Sequence, residues 1–244
     1  MSPPASVILV TAGSAGLGAA TARLFAKHGF RVVVNYNTNA QRAEMLCAEL
    51  GGNAVAIQAN LASRTDVQRL VGETIEAAGR LDVVFSNGGW TRFADPTSLD
   101  DNAVESDWNC AFDVNVKSHL WLLQAARPHL DATRGAFITT ASVAGIQGMG
   151  SSLAYSVTKA AQLHLVRGLA TLVAPTIRVN SVSPGLLQTE WAGRFSEEQK
   201  EAHRQKTKLK RFATVEDVAA QVFSLAASQS ITGTNIIIDA GYTL

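Results

Sequence analysis

VILVTAGSAGLGAATARLFAKHGF, residues 7–30, decides how the rest of the chain is read. An unbroken apolar run at 7–11 leads into Thr11-Ala12-Gly13-Ser14-Ala15-Gly16-Leu17-Gly18, and an amphipathic stretch follows at 17–28. A short apolar run bounded by a turn reads as a strand covered on both faces. Glycines there permit a tight strand-to-helix reversal, a close backbone approach to a pyrophosphate, and close packing of helix on strand. The helix behind them offers unpaired N–H groups and the positive end of its dipole to phosphate. The spacing is not GxGxxG, so the turn alone is a weak mark of a dinucleotide site.

The same alternation runs outward to the C-terminus. Apolar strand patterns recur at 31–36 (RVVVNY), 54–58, 82–86 (DVVFS), 136–140 (AFITT), 177–182 and 235–239 (NIIID). Helical patterns lie between them at 40–50, 65–78, 107–130, 153–173 and 215–227. This order predicts an α/β fold: a Rossmann-like, doubly wound parallel sheet of seven strands with helices on both faces. No linker or repeat interrupts it, so residues 1–244 read as one dinucleotide-binding and catalytic domain. The least regular stretch, about 185–211, is the candidate substrate loop.

Hydrophobic residues make up 47% and charged residues 17%, which excludes a disordered chain. A net charge of +1 gives no reason to expect nucleic acid or an anionic membrane as partner. No apolar run approaches a membrane span, and no signal peptide is visible, so the expected location is the cytoplasm. Cys47 and Cys110 are far apart, and the five histidines (His28, His119, His129, His164 and His203) form no ligand spacing, so no metal is expected. The basic run Lys206, Lys208, Lys210 and Arg211 follows Glu197, Glu198 and Glu201 and reads as a solvated helix face.

The sharper chemistry is Tyr155-Ser156-Val157-Thr158-Lys159 within the helical pattern at 153–173. Residues four apart share one helical face, so a phenol and an ammonium can approach one ligand together. A neighbouring ammonium favours phenolate and draws the tyrosine toward acid–base work near neutral pH. Ser142 follows the strand at 136–140 and therefore sits at the carboxyl edge of the sheet, where open α/β sheets bind ligands.

With these residues in view, the chain resembles the short-chain dehydrogenase/reductase family, in its main single-domain subgroup, over nearly its whole length. Residues 11–18 are similar to the family's TGxxxGxG turn, and Ser86-Asn87-Gly88-Gly89 to its NNAG segment. Asn115 stands where the family carries an active-site asparagine. Ser142, Tyr155 and Lys159 match its catalytic serine and YxxxK. Ser183-Pro184-Gly185 with Thr189 matches its PG segment and the threonine beyond. Two departures stand out: Ala12 replaces the first glycine of the turn, and Ser86 and Gly88 replace residues of NNAG.

The resemblance implies an oxidoreductase that interconverts a ketone or aldehyde and an alcohol by hydride transfer, with Tyr155 as general acid/base. Lys159 would lower the tyrosine pKa and bond the nicotinamide ribose, Ser142 would polarise the substrate oxygen, and Asn115 would anchor a water. Cofactor contacts are implied for Gly13, Ser14, Gly16, Leu17 and Gly18 in the turn, and for Tyr36, Asn37 and Thr38 after the second strand. They continue with Asn60 and Leu61 after the third strand, and Asn87, Gly88 and Gly89 after the fourth. Pro184, Gly185, Leu187 and Thr189 follow the sixth, and Tyr155 and Lys159 complete the set. Tyr36 stands where NAD users carry aspartate, and no acid occurs between Gly18 and Glu44. NADP(H) is therefore preferred and NAD(H) possible, with Arg42 a candidate partner for the 2′-phosphate.

Trp90, Gln147, Met149 and Trp191 either line a substrate pocket or pack. The helices at 107–130 and 153–173 carry more apolar residues than one buried face needs. A homo-oligomer is expected, and the family resemblance implies a tetramer. Two other uses of the scaffold stay open: a non-redox enzyme of cyclase, isomerase or lyase type, and a dinucleotide-binding regulator.

Overall fold

The computed structural model describes residues 5–148 and 150–244. β1 (Val7–Val10), β2 (Arg31–Tyr36), β3 (Val55–Gln58), β4 (Val83–Ser86), β5 (Ala136–Thr140), β6 (Arg178–Pro184) and β7 (Asn235–Ile238) form one parallel sheet. Their order is β3-β2-β1-β4-β5-β6-β7. The connections run one way from β1 to β3 and the other way from β4 onward. The switch point between β1 and β4 therefore opens a crevice at the carboxyl edge.

Alternate residues of each strand face opposite layers. Val7 and Leu9 of β1 join Val84, Phe137 and Val179 in one core. Ile8 and Val10 join Phe85, Ile138 and Val182 in the other. The first core is covered by α3 (Arg64–Ala78), α6 (Ser118–Thr133) and α7 (Leu153–Val173); the second by α1 (Gly16–Lys27), α2 (Ala40–Leu50) and α9 (Val215–Ala227). Both faces of every central strand are thus buried, and this is why the strands read as continuous apolar runs.

The stretch expected as one helix at 107–130 is divided. α4 (Leu99–Asn102) and α5 (Glu105–Phe112) come first, then a π turn at Asp113–Lys117, then α6. The stretch at 185–211 is more regular than its sequence suggests. It carries a 3-10 turn, Glu190–Arg194, and α8 (Glu197–Lys206). α8 opens on a capping box in which Ser196 and Gln199 bond each other's backbone amides. Among the described residues, no helix is long and apolar enough to cross a membrane.

Candidate active site

The glycine turn is braced from beneath. The Thr11 hydroxyl accepts from the amides of Asn87 (2.9 Å) and Gly88 (3.2 Å). The Gly13 amide donates to the Asn35 carbonyl at 2.8 Å, and the Ala12 amide to Asn35 Oδ1 at 3.1 Å. Asn35 Nδ2 in turn donates to the carbonyls of Tyr36, Ile57 and Ala59. Asn35 was not singled out in the sequence, though one buried amide in the apolar run RVVVNY was a legible signal.

A methyl group on Gly13 would lie 2.8 Å from the Val10 carbonyl oxygen, and one on Gly18 would lie 2.5 Å from that of Ala12. Gly16 has φ +48°. Only glycine suits this cradle. Above it, α1 begins at Ala15 with no side-chain cap and no acid in its first turn. By contrast, Asn39, Ser63 and Thr214 cap α2, α3 and α9. The first-turn N–H groups of α1 are left for an anion, which fits the pyrophosphate of a dinucleotide.

Ala12, the departure at the first glycine position, has φ +46°. The left-handed region costs an L-residue about 1 kcal/mol. Ala12→Gly is therefore expected to raise the melting temperature by about 2–4 °C in a thermal scan. An unchanged or lower value would show that the alanine is not strained.

The second departure is filled from two sides. Ser86 is buried and shares a 2.6 Å hydrogen bond with His119 Nδ1 of α6. A methyl at Gly88, which an alanine would carry, would fall 2.1 Å from Leu61 Cδ1. Leu61 thus occupies the space that the shorter residue leaves.

Ser142 lies just past β5 and caps a 3-10 turn, Val143–Gly145, by accepting from the Ala144 amide at 3.1 Å. Gly145 brings this turn against α7, where a methyl on it would sit 2.5 Å from the Lys159 carbonyl carbon. α7 starts at Ser152, whose hydroxyl caps the Tyr155 amide at 3.2 Å. The Tyr155 phenol lies close enough to Ser142 for the serine hydroxyl to favour its ionised form. Lys159 Nζ lies 5.6 Å from the centre of the Tyr155 ring.

The electrostatics differ from the sequence expectation that the ammonium draws the phenol down. Burial raises the Tyr155 pKa above its ordinary value, and the Ser142 hydrogen bond works against that rise. Burial also lowers Lys159 to about 7. A lysine close to neutrality at physiological pH is a weaker source of charge for its neighbour than a fully protonated one.

Asn115 is fully buried in the π turn. Its side chain reads the Trp90 backbone in both directions: Oδ1 accepts from the amide at 2.7 Å, and Nδ2 donates to the carbonyl at 2.9 Å. It also donates to Thr158 Oγ1 at 3.0 Å. Asn87 Oδ1 accepts from the Thr140 hydroxyl at 3.0 Å and so links β4 to β5 at the same edge.

These elements enclose a cleft of about 670 Å³. Gly16 and Leu17 line it from the turn, Asn87 and Gly89 from β4, and Pro184, Gly185, Leu187 and Thr189 from the segment after β6. Ser142, Tyr155 and Lys159 form one wall. Gly13, Ser14 and Gly18 belong to the turn beneath. Tyr36 ends β2 and Asn37 and Thr38 follow it, and Asn60 and Leu61 follow β3, on the sheet edge beyond β1.

Gln147 and Trp191 line the outer cleft, with the Trp191 and Tyr155 rings 6.4 Å apart. Trp90 is not among the residues that line the cleft, and its backbone amide and carbonyl are held by the Asn115 side chain. Met149 lies outside the described residues. Phe195, Gln199, His203 and Tyr242 also line the cleft, with His203 stacked on Tyr242 at 4.1 Å, and none of them was proposed from sequence. The capping box Ser196-Glu197-Glu198-Gln199 was the available sign that a helix, and hence a wall, forms there.

A parallel sheet with its switch point at a glycine cradle, beside a serine, tyrosine and lysine, defines the nicotinamide-dependent oxidoreductase class. The family model described as enoyl-(acyl carrier protein) reductase matches residues 11–243. A protein of Streptomyces violaceoruber, named as a ketoacyl reductase of the granaticin polyketide synthase, is 36% identical over 98% of this chain and 96% of its own length. The 3-oxoacyl-[acyl-carrier-protein] reductase FabG of Staphylococcus aureus is 33% identical over 96% of each chain. A short chain dehydrogenase from Burkholderia cenocepacia, solved in complex with NADP, superposes with a TM-score of 0.90 at 33% identity, covering 99% of both chains. The chain belongs to the short-chain dehydrogenase/reductase family.

Proposed function

We propose that this protein is an NADP(H)-dependent reductase that interconverts a ketone or aldehyde with its alcohol. The observation that carries the reading is the convergence of Ser142, Tyr155 and Lys159 on a cleft that also reaches the uncapped start of α1. The bound dinucleotide supplies the hydride. The chain's own residues manage the proton and the orientation. Tyr155 gives its phenolic proton to the substrate oxygen during reduction and takes it back during oxidation. Ser142 donates a hydrogen bond to the same oxygen. Lys159 bonds the ribose and contributes its charge. The Asn115 side chain is committed to Trp90 and Thr158, so its part in anchoring a water falls to the main chain of the π turn.

The names of the two relatives and the aromatic outer wall of Trp191, Phe195 and Tyr242 favour a ketone that carries an acyl chain. The test is a panel of ketones, aldehydes and 3-oxoacyl thioesters, followed by cofactor absorbance with NADPH and with NADH. Dinucleotide binding with no turnover across the panel would reject this reading in favour of a non-redox or regulatory use.

The preference for NADP(H) rests on Tyr36, Asn37 and Thr38 at the end of β2, where no acid repels a 2′-phosphate, and on Arg42 in the first turn of α2. Arg42 pairs with Glu190, on the segment over the cleft, at 2.7 and 3.0 Å. A 2′-phosphate would compete with that carboxylate for the guanidinium. Arg42→Gln is expected to weaken NADPH about tenfold in a fluorescence titration and to leave NADH unchanged. Glu190→Gln is expected to tighten NADPH alone. Parallel changes for both cofactors would remove Arg42 from the specificity site.

We also infer a one-domain, cytoplasmic homo-oligomer, most simply a tetramer. Leu120 of α6 and Leu172 of α7 stand 43% and 72% exposed, and both helices carry further apolar residues. Sedimentation at monomer mass would reject the oligomer.

A further inference from the structure

Lys159 is only 2% exposed, and its ammonium has three protons to place. One goes to the Thr140 carbonyl at the end of β5, at 2.7 Å. A second goes to Gln162 Oε1, one turn further along α7, at 3.0 Å. Gln162 has no exposed surface, and its Nε2 donates to the same Thr140 carbonyl at 3.2 Å. The three groups form a closed triangle behind the cleft. A buried side-chain amide is unfavourable unless it is paired, and both of these bonds point to the lysine and to the carbonyl that the lysine uses.

His119, near enough to feel the Lys159 charge, is buried on α6 and hydrogen-bonded through Nδ1 to Ser86. Its Nε2 has no hydrogen-bond partner among the described residues. Burial and the nearby Lys159 charge hold His119 neutral, with a pKa of about 3.

We infer that Gln162 is a positioning residue for Lys159: its amide oxygen holds the ammonium at the floor of the cleft, with the Thr140 carbonyl closing the seat. The catalytic use of that ammonium rests on the function proposed above; the seat itself does not. An acceptor facing a buried ammonium favours its charged form and opposes the desolvation that disfavours it. Tyr155 on the same helix and His119 on α6 are the titratable groups acting at this point. Asp113 and Lys117 of the π turn pair with each other at 2.6 Å, and Asp107 of α5 pairs with Arg92. Cys110 of α5 is half-buried beside Asp113 and Asp107.

The experiment compares the wild type with Gln162→Leu, Gln162→Met and Gln162→Glu. Titration of the Lys159 side chain by carbon-13 NMR reads the seat directly. The pH profile of ketone reduction reads its consequence. Leucine and methionine remove the acceptor, and the Lys159 midpoint should fall by about one pH unit. Glutamate retains an acceptor in either protonation state, and its midpoint should match or exceed the wild type. Methionine keeps the volume of glutamine, so it stands in if the leucine variant does not fold. The alkaline limb of reduction should move with the midpoint. A moving midpoint with a fixed limb supports the seat and counts against the catalytic use of Lys159. Equal midpoints in all variants overturn the inference.

Discussion

Tyr155→Phe should lower turnover by about a thousandfold and leave NADPH affinity within a small factor of the wild type. The substitution removes one oxygen and keeps the ring that faces Trp191 at 6.4 Å, so the wall of the cleft is preserved. Positioned proton transfer contributes about 10²–10⁴ in rate, and phenylalanine has no proton to give. Steady-state kinetics measures the first quantity and fluorescence titration the second. Residual turnover near the wild-type rate would show that the proton reaches substrate by another route. An equal collapse of cofactor binding would show that the hydroxyl builds the site rather than acting in it.

Gly145→Ala should damage stability and rate together. Its methyl would lie 2.5 Å from the Lys159 carbonyl carbon, 2.7 Å from the Ala160 amide nitrogen and 2.8 Å from the Lys159 oxygen. These are backbone atoms of α7 and cannot swing aside as a side chain can. The 3-10 turn must instead retreat and carry Ser142 with it. Overpacking of this kind costs about 2 kcal/mol, a fall in melting temperature of about 4–8 °C for a chain of this size. A displacement of about 1 Å between reacting groups is worth about a hundredfold in rate, so kcat/KM for reduction should fall by that order. Thermal denaturation and kinetics on one preparation test both parts. A variant with wild-type values in both would mean that the turn and helix are not locked together.

Much of this arrangement was legible in the residues because parallel strands buried on both sides leave continuous apolar runs. The patterns at 31–36 and 136–140 coincide with β2 and β5. The division of 107–130 was not legible. A π turn inserts one residue into the ring of a hydrogen bond and hardly disturbs apolar periodicity, so α5 and α6 read as one element. Ser142, Tyr155 and Lys159 stood out by spacing. Asn35 and the Ser86–His119 pair did not, because their partners lie on another element or on backbone, and Gln162, though three residues from Lys159, is tied to the Thr140 carbonyl only in the folded chain. The burial of Tyr155 was not legible either. Sequence spacing displays the neighbouring charge, whereas burial, which raises the Tyr155 pKa, depends on layers that only the folded chain brings together.

The outer wall of the cleft comes largely from one continuous length of chain, Leu186, Leu187, Thr189, Glu190 and Trp191, and then Phe195, Gln199, Ala202, His203 and Lys206. Ser142 lies just past β5, Tyr155 and Lys159 on α7, and the glycine cradle between β1 and the first turn of α1, all outside that length. On the function proposed above, most of the substrate wall and all of the proton-handling residues are written in separate passages of the gene. Grafting the passage for 186–206 from a relative should transplant substrate preference while the chemical apparatus stays in place.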